Sequence, residues 1–304
     1  MPPSNSLKLE QRIIQIFSDC MTKSKAFRFE DRLYSVKCVG KPRPSHGECK
    51  TDVYIKGESS DGSLLELKLS VKDKTTNEFQ GNKLRAEDAN NYFGANWAEI
   101  IKTASLSISK KFKETHLIFA RGKHPTKANS ITLGWKLEIA NKRRSLSAEI
   151  PLTIEEIRNF IFKGTTLSND KKNAKIDGIE IQNSGVANYL VFANINDLTS
   201  ANDVISRMIL IDSYQPPQIY LIYTANNYRT KEDKADGPRS LAVQIKWHCI
   251  KGRLHPEFIF NEPLIKTGEG DMKPILLTAL EELGKRNPED MDENDVSNGQ
   301  FLYV

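Results

Sequence analysis

The sequence predicts an α/β fold, a central mixed sheet flanked by helices, on three observations. An amphipathic helical pattern stands near the start. Two alternating segments around a turn follow it. The second half then interleaves strand-like and helix-like segments.

Taken in order, residues 7–21 place Leu9, Ile13, Ile14, Phe17 and Cys20 at helical spacing, with Ser6 as cap. A loop rich in Gly, Pro and Lys covers 39–47. Residues 50–55 alternate, 57–63 carry two glycines and three serines, and 64–71 alternate again, which predicts a hairpin. Polar sequence fills 73–91. A helix is expected over 96–111, with Trp97, Ile100, Ile101, Ala104 and Ile108 on one face, then strands at 116–120 and 132–139 and a helix at 154–162. Further strands are expected at 189–193, 219–224, 241–247 and 258–260, and helices at 201–211 and 274–283. Residues 226–238 read as a polar connection, and 284–304 as a mobile tail whose apolar end, 301–304, is free to dock.

Composition bounds the function. The chain has 304 residues, 38% apolar and 27% charged, which suits an ordinary globular protein and argues against global disorder. No apolar run approaches the roughly 18 residues of a membrane span. The polar start, 1–8, lacks the apolar stretch of a signal peptide, so the expectation is a cytoplasmic protein with no membrane partner. Cys20, Cys38, Cys49 and Cys249 form no C-x-x-C pair and read as free thiols. His248, Cys249 and His255 match no usual zinc spacing. No phosphate-binding G-x-x-x-x-G-K loop is present, which argues against a nucleotide cofactor. The net charge of +5 is mild, but Glu289 to Asp295 concentrates acid at one end. The remainder carries basic clusters at Lys110, Lys111 and Lys113, at Arg121, Lys123 and Lys127, and at Lys142, Arg143 and Arg144, a pattern that leans towards phosphate contact.

The hairpin carries the chemistry. Side chains alternate across a strand, so Leu65, Leu67, Leu69 and Val71 share one face, and Glu66, Lys68, Ser70 and Lys72 the other. On the first strand Val53 and Ile55 point one way, and Glu48, Lys50 and Asp52 the other. Burying the apolar faces would make Asp52, Glu66 and Lys68 converge. Two carboxylates suit a hard divalent cation, Mg2+ in the cell. Such an ion lowers the pKa of a bound water and polarises a phosphoryl oxygen. A lysine two residues from a carboxylate shares its face and can offset charge on the phosphate. The plainer reading is a surface ion pair on a wet strand face.

The run Lys50-Thr51-Asp52-Val53, followed after a turn by Leu65-Glu66-Leu67-Lys68, resembles the PD-(D/E)xK nuclease superfamily, most closely its type II restriction endonucleases. Thr51 stands where that family has proline. The resemblance covers roughly the first third of the chain. It implies a restriction-endonuclease-like core at 1–150, a second half at 151–284 adding sheet and DNA recognition, and the acidic tail at 285–304. It implies Mg2+-dependent cleavage of double-stranded DNA leaving 5′-phosphates, with Asp52 and Glu66 as metal ligands and Lys68 as catalytic lysine. Glu10 on the first helix, or Glu48 on the strand of Asp52, is a further ligand candidate. A homodimer is expected, since two symmetry-related cuts need two sites. Lys72, Gln80, Asn82, Lys83, Arg85 and Asn90 are candidates for DNA contact, because these side chains pair with base edges or phosphates. Two other readings stay open: a structure-specific repair or junction nuclease on the same core, and a non-enzymatic DNA-binding protein.

Overall fold

The computed structural model describes residues 5–74, 80–84, 86–121 and 128–304. It is a mixed α/β protein whose strands form separate sheets in two compact units. The first unit holds Met1–Asn77, Asn91–Gly94 and Leu152–Pro216, and the second Glu78–Asn90, Ala95–Pro151 and Pro217–Val304. The chain crosses between them repeatedly, so the division differs from the boundary expected at 150.

The first unit opens with helix α1, Asn5–Thr22. Strands β1, Phe27–Phe29, β2, Arg32–Gly40, β3, Val53–Ser59, and β4, Leu64–Asp73, follow as an antiparallel meander. The strand Tyr189–Ala193 then lies parallel to β4, with Leu69 beside Tyr189 and Asp73 beside Ala193, and the strand Met208–Leu210 closes the far edge. The sheet is therefore mixed, with antiparallel and parallel neighbours on the two sides of β4. The period-2 pattern determines its buried face. Val53, Ile55, Leu67, Leu69 and Val71 lie against Leu9, Ile13, Ile16 and Phe17 of α1. Phe17 meets Phe27 edge-on with ring centroids 5.3 Å apart.

In the second unit, the strand Ser130–Ala140 pairs with Tyr220–Arg229 and Val243–Ile250, and the latter forms a hairpin with Arg253–Ile259. The helix Lys273–Leu283 packs on this sheet. Trp135 and Trp247 are buried, and the Trp247 indole donates to the Thr132 carbonyl at 2.9 Å. Gly134 adopts φ +146°, and a Cβ there would lie 2.3 Å from the Val243 carbonyl oxygen, so only glycine lets the two strands approach.

Several elements depart from the sequence reading. Strands β1 and β2 are additional; a register shift between Val36 and Cys38 breaks the alternation that would announce β2. The helix expected over 96–111 is interrupted at Ile108, giving Trp97–Ser107 and Ser109–Lys113. The helix expected over 201–211 stops at Ile205, because Met208–Leu210 pairs with Tyr189–Val191. The polar connection at 226–238 is strand as far as Arg229, with a bulge between Asn226 and Asn227. Residues 285–304 are folded onto the second unit: Leu302–Tyr303 pairs with Ile118–Phe119, and Met291, Val296 and Phe301 are buried. No helix among the described residues is long and apolar enough to cross a membrane.

The packing predicts a contrast on one strand. Leu69→Ala, at a fully buried position, should lose about 2–5 kcal/mol of unfolding free energy. Leu64→Ala, whose side chain is largely exposed, should change it by no more than about 0.5 kcal/mol. Urea denaturation of the two variants measures the difference.

Candidate active site

The turn after β3 sets the register of the hairpin. The Gly62 amide donates to the Ser59 carbonyl at 3.0 Å, Gly62 takes φ +81°, and the Asp61 carboxylate accepts from the Ser63 amide at 3.0 Å. Val53 then faces Leu69, Tyr54 faces Lys68 and Lys56 faces Glu66. The Asp52 amide donates to the Leu69 carbonyl at 2.8 Å, which continues the ladder by one residue. Asp52, Tyr54, Glu66, Lys68, Ser70 and Lys72 thus share the face opposite α1.

The shared face does not gather all three residues read as catalytic. Glu66 lies four residues before Ser70, about 13 Å along an extended strand. Its carboxylate accepts from the Tyr54 hydroxyl at 2.5 Å. Lys68 pairs across the ladder with Tyr54, and its amide donates to the Asn188 side chain at 2.7 Å. Two carboxylates sharing one magnesium must bring oxygens within about 4 Å of each other, given metal–oxygen distances near 2.1 Å. Asp52 keeps different company.

Asp52 Oδ2 accepts from the Val71 amide at 2.7 Å and from the Ser70 hydroxyl at 3.4 Å, and lies 3.9 Å from the Lys72 ammonium. Glu10 of α1, 7% exposed, is near enough to feel both Asp52 and Glu48. Burial raises the Glu10 pKa; Lys41, whose Nζ lies 2.6 Å from Oε2, opposes the rise, and the Asp52 and Glu48 charges reinforce it. Of the two further ligand candidates offered by the resemblance, Glu48 lines one cleft with Asp52, and Glu10 feels the charge of both. Lys41, Glu48, Cys49, Thr51 and Asp52 line one cleft of about 350 Å³. The Asp170 carboxylate holds its outer loop by accepting from the Ser45 amide at 3.0 Å.

Lys50 is a residue whose importance local spacing conceals. A Cβ on Gly164, at φ +79°, would lie 2.5 Å from the Lys50 Cγ, so the lysine stem runs through space that glycine leaves open. Its ammonium lies 4.4 Å from the Tyr92 ring centroid. Burial, then the Lys72 cation, pull its pKa down to about 7 against the pull of Asp52. The strand expected from residue 50 begins only at Val53, so Lys50 lies in the bend before it, and its surroundings come from Tyr92 and Gly164, far along the chain.

The residues fit a hydrated divalent cation. Glu10 Oε1 and Asp52 Oδ1 accept no hydrogen bond among the described residues. The buried Thr51 hydroxyl, on the same cleft, has no partner among them. No three His, Cys, Asp or Glu side chains converge among the described residues. Magnesium commonly keeps several waters and takes one or two carboxylates, and Asp52 on the cleft offers one, with Glu10 within electrostatic reach.

Of the residues read as DNA contacts, Lys72 belongs to this cluster and Asn90 is exposed on the helix Ala86–Phe93. Gln80, Asn82 and Lys83 lie on the strand Gln80–Leu84, but their side chains are outside the described set, as is Arg85 altogether. Comparison with protein-family models, with curated proteins and with solved structures yields no match to this chain.

Lys50 predicts a pH dependence of stability in the metal-free protein, held in EDTA. With a folded pKa of about 7 and an ordinary unfolded value of 10.5, the unfolded chain binds the extra proton between those limits. The Lys50 contribution to stability should therefore rise with pH from about 7 to 10.5. Lys50→Met removes it. In urea titrations at pH 7 and pH 9.5, wild type should gain on the variant at the higher pH; an unchanged gap would contradict the burial of this ammonium.

Proposed function

We propose that this protein is a magnesium-dependent DNA endonuclease of the restriction type, acting on double-stranded DNA as a homodimer. The observation that carries the reading is the Asp52 carboxylate, pinned by the Val71 amide, with Lys72 at 3.9 Å and Glu10 within electrostatic reach. The mixed sheet and the helix behind it agree with the core that the hairpin motif implies.

Asp52 and Glu10 would hold the magnesium ion, with Glu48 at the mouth of the same cleft. When bound, the ion supplies a water of lowered pKa and an electrophile for the phosphoryl oxygen. Lys72 lies where a cation offsets charge developing on the scissile phosphate. The Val71 amide and Ser70 hydroxyl orient Asp52, and Lys41 orients Glu10. In this arrangement Lys72, two residues beyond Ser70, takes the part that the resemblance implied for Lys68.

Incubating the protein with unmethylated plasmids and Mg2+ should give discrete bands that EDTA abolishes. Asp52→Asn should remove cutting. Lys72→Ala should slow it about 10²–10³-fold, the usual effect of losing one charge-stabilising group, while Lys68→Ala retains most of it. If Lys68→Ala abolishes cutting and Lys72→Ala does not, the centre lies at Glu66 and Lys68. Absence of cutting on every plasmid, with DNA binding intact, would favour a non-enzymatic DNA-binding protein.

A further inference from the structure

Two basic segments, 31 residues apart between Lys111 and Lys142, reach the same groove of the second unit. The short helix Ser109–Lys113 presents Lys110, Lys111 and Lys113, and Lys111 lines a cavity of about 370 Å³. The loop before the strand Ser147–Glu149 carries Lys142, Arg143 and Arg144, all exposed, and Arg144 lines a second cavity of about 300 Å³. The two cavities are continuous. Both are lined by Ser145, Leu146, Tyr223, Ala225 and Asn227, so the strand Tyr220–Arg229 forms a common floor.

The charge along this groove is mainly positive. Its two carboxylates, Glu114 and Asp236, are both engaged: Glu114 lies 3.8 Å from Lys110, and Asp236 accepts from Arg229 Nε at 2.6 Å. The floor is rigid. Tyr223 is buried with its hydroxyl 3.0 Å from Ser105, and Asn227 accepts from Thr132 at 3.0 Å. A firm, polar-floored channel with a cationic segment at each end suits a chain of regularly spaced anions.

We infer that this groove binds the sugar-phosphate backbone of DNA, with Lys110, Lys111 and Lys113 at one end and Lys142, Arg143 and Arg144 at the other. The site deepens the nuclease reading and rests on it for the choice of DNA as the polyanion. It is built only from residues of the second unit and includes none of the cleavage residues.

The test separates binding from cutting. Affinity for a fluorescent duplex is measured in EDTA across a salt series, for wild type, for K110Q/K111Q/K113Q, for K142Q/R143Q/R144Q and for Asp52→Asn. Each triple variant should bind about tenfold or more weakly, with its salt slope lowered by about 2–3, since each lost phosphate contact removes close to one unit. Asp52→Asn, which removes a negative charge from the cleavage site, should bind no more weakly than wild type. Thermal melting checks that the triple variants, altered at exposed positions, remain folded. Unchanged affinity and slope in both folded triple variants would overturn the groove. Equal displacement of the duplex by a polyglutamate of matched charge would mark a general anion surface and overturn the DNA assignment. Wild type that binds duplex with these effects but never cuts with Mg2+ would keep the groove and sink the nuclease reading.

Discussion

The hydrogen bond from the Val71 amide to the Asp52 carboxylate ties the chemistry of the first unit to its fold. It crosses from the last residue before β3 to the far part of β4, at 2.7 Å. It holds only if the hairpin register is correct. A slip of β3 by one residue would turn Asp52 towards α1 and expose Val53 and Ile55. The apolar packing that stabilises the sheet thus also aims the carboxylate. The placement of the carboxylate and the packing of the core are one constraint here.

A half-buried lysine stands beside the cluster. Lys50 lies two residues before Asp52, in the bend that leads into β3, where its amide donates to the Gly185 carbonyl at 3.0 Å. Its stem passes Gly164 and its ammonium meets Tyr92. The Asn91–Gly94 segment is held there by the Thr166 hydroxyl, which donates to the Asn91 carbonyl at 2.5 Å. A stretch that looks like polar linker in the sequence therefore supplies an aromatic lid for a charge. Burying an ammonium is costly, and a protein answers by depressing its pKa or by pairing it; here both Asp52 and the Tyr92 ring moderate the cost.

The second unit uses different means to build a surface. Gly134 lets two strands approach, the bulge at Asn226 and Asn227 bends the strand Tyr220–Arg229, and Trp135 and Trp247 fill the interior. The basic segments then emerge from a stiff sheet, one from a five-residue helix and one from a loop. Residues 285–304, acidic and apolar by turns, bind to the same unit through buried Val296 and Phe301. A charged composition did not prevent folding, because its apolar residues find a sheet edge.

Local patterns were enough to determine α1, the β3–β4 hairpin, the long strand at 130–140, the helix at 273–283 and the face on which Asp52, Glu66 and Lys68 lie. Those features depend on periods of 3.6 and 2 residues within a short window. The same patterns could not determine which members of that face meet. Position along a strand, and not face alone, separates Glu66 from Asp52: Glu66 accepts from Tyr54, whereas Asp52 meets Ser70, Val71 and Lys72. Nor could they show β2, whose alternation a bulge interrupts, or the early end of the helix at Ile205, where pairing with Tyr189–Val191 outweighs helical spacing. Burial of Lys50 and folding of the last twenty residues are likewise tertiary outcomes. Each rests on contacts between residues far apart in sequence, and such contacts leave no periodic trace in the chain itself.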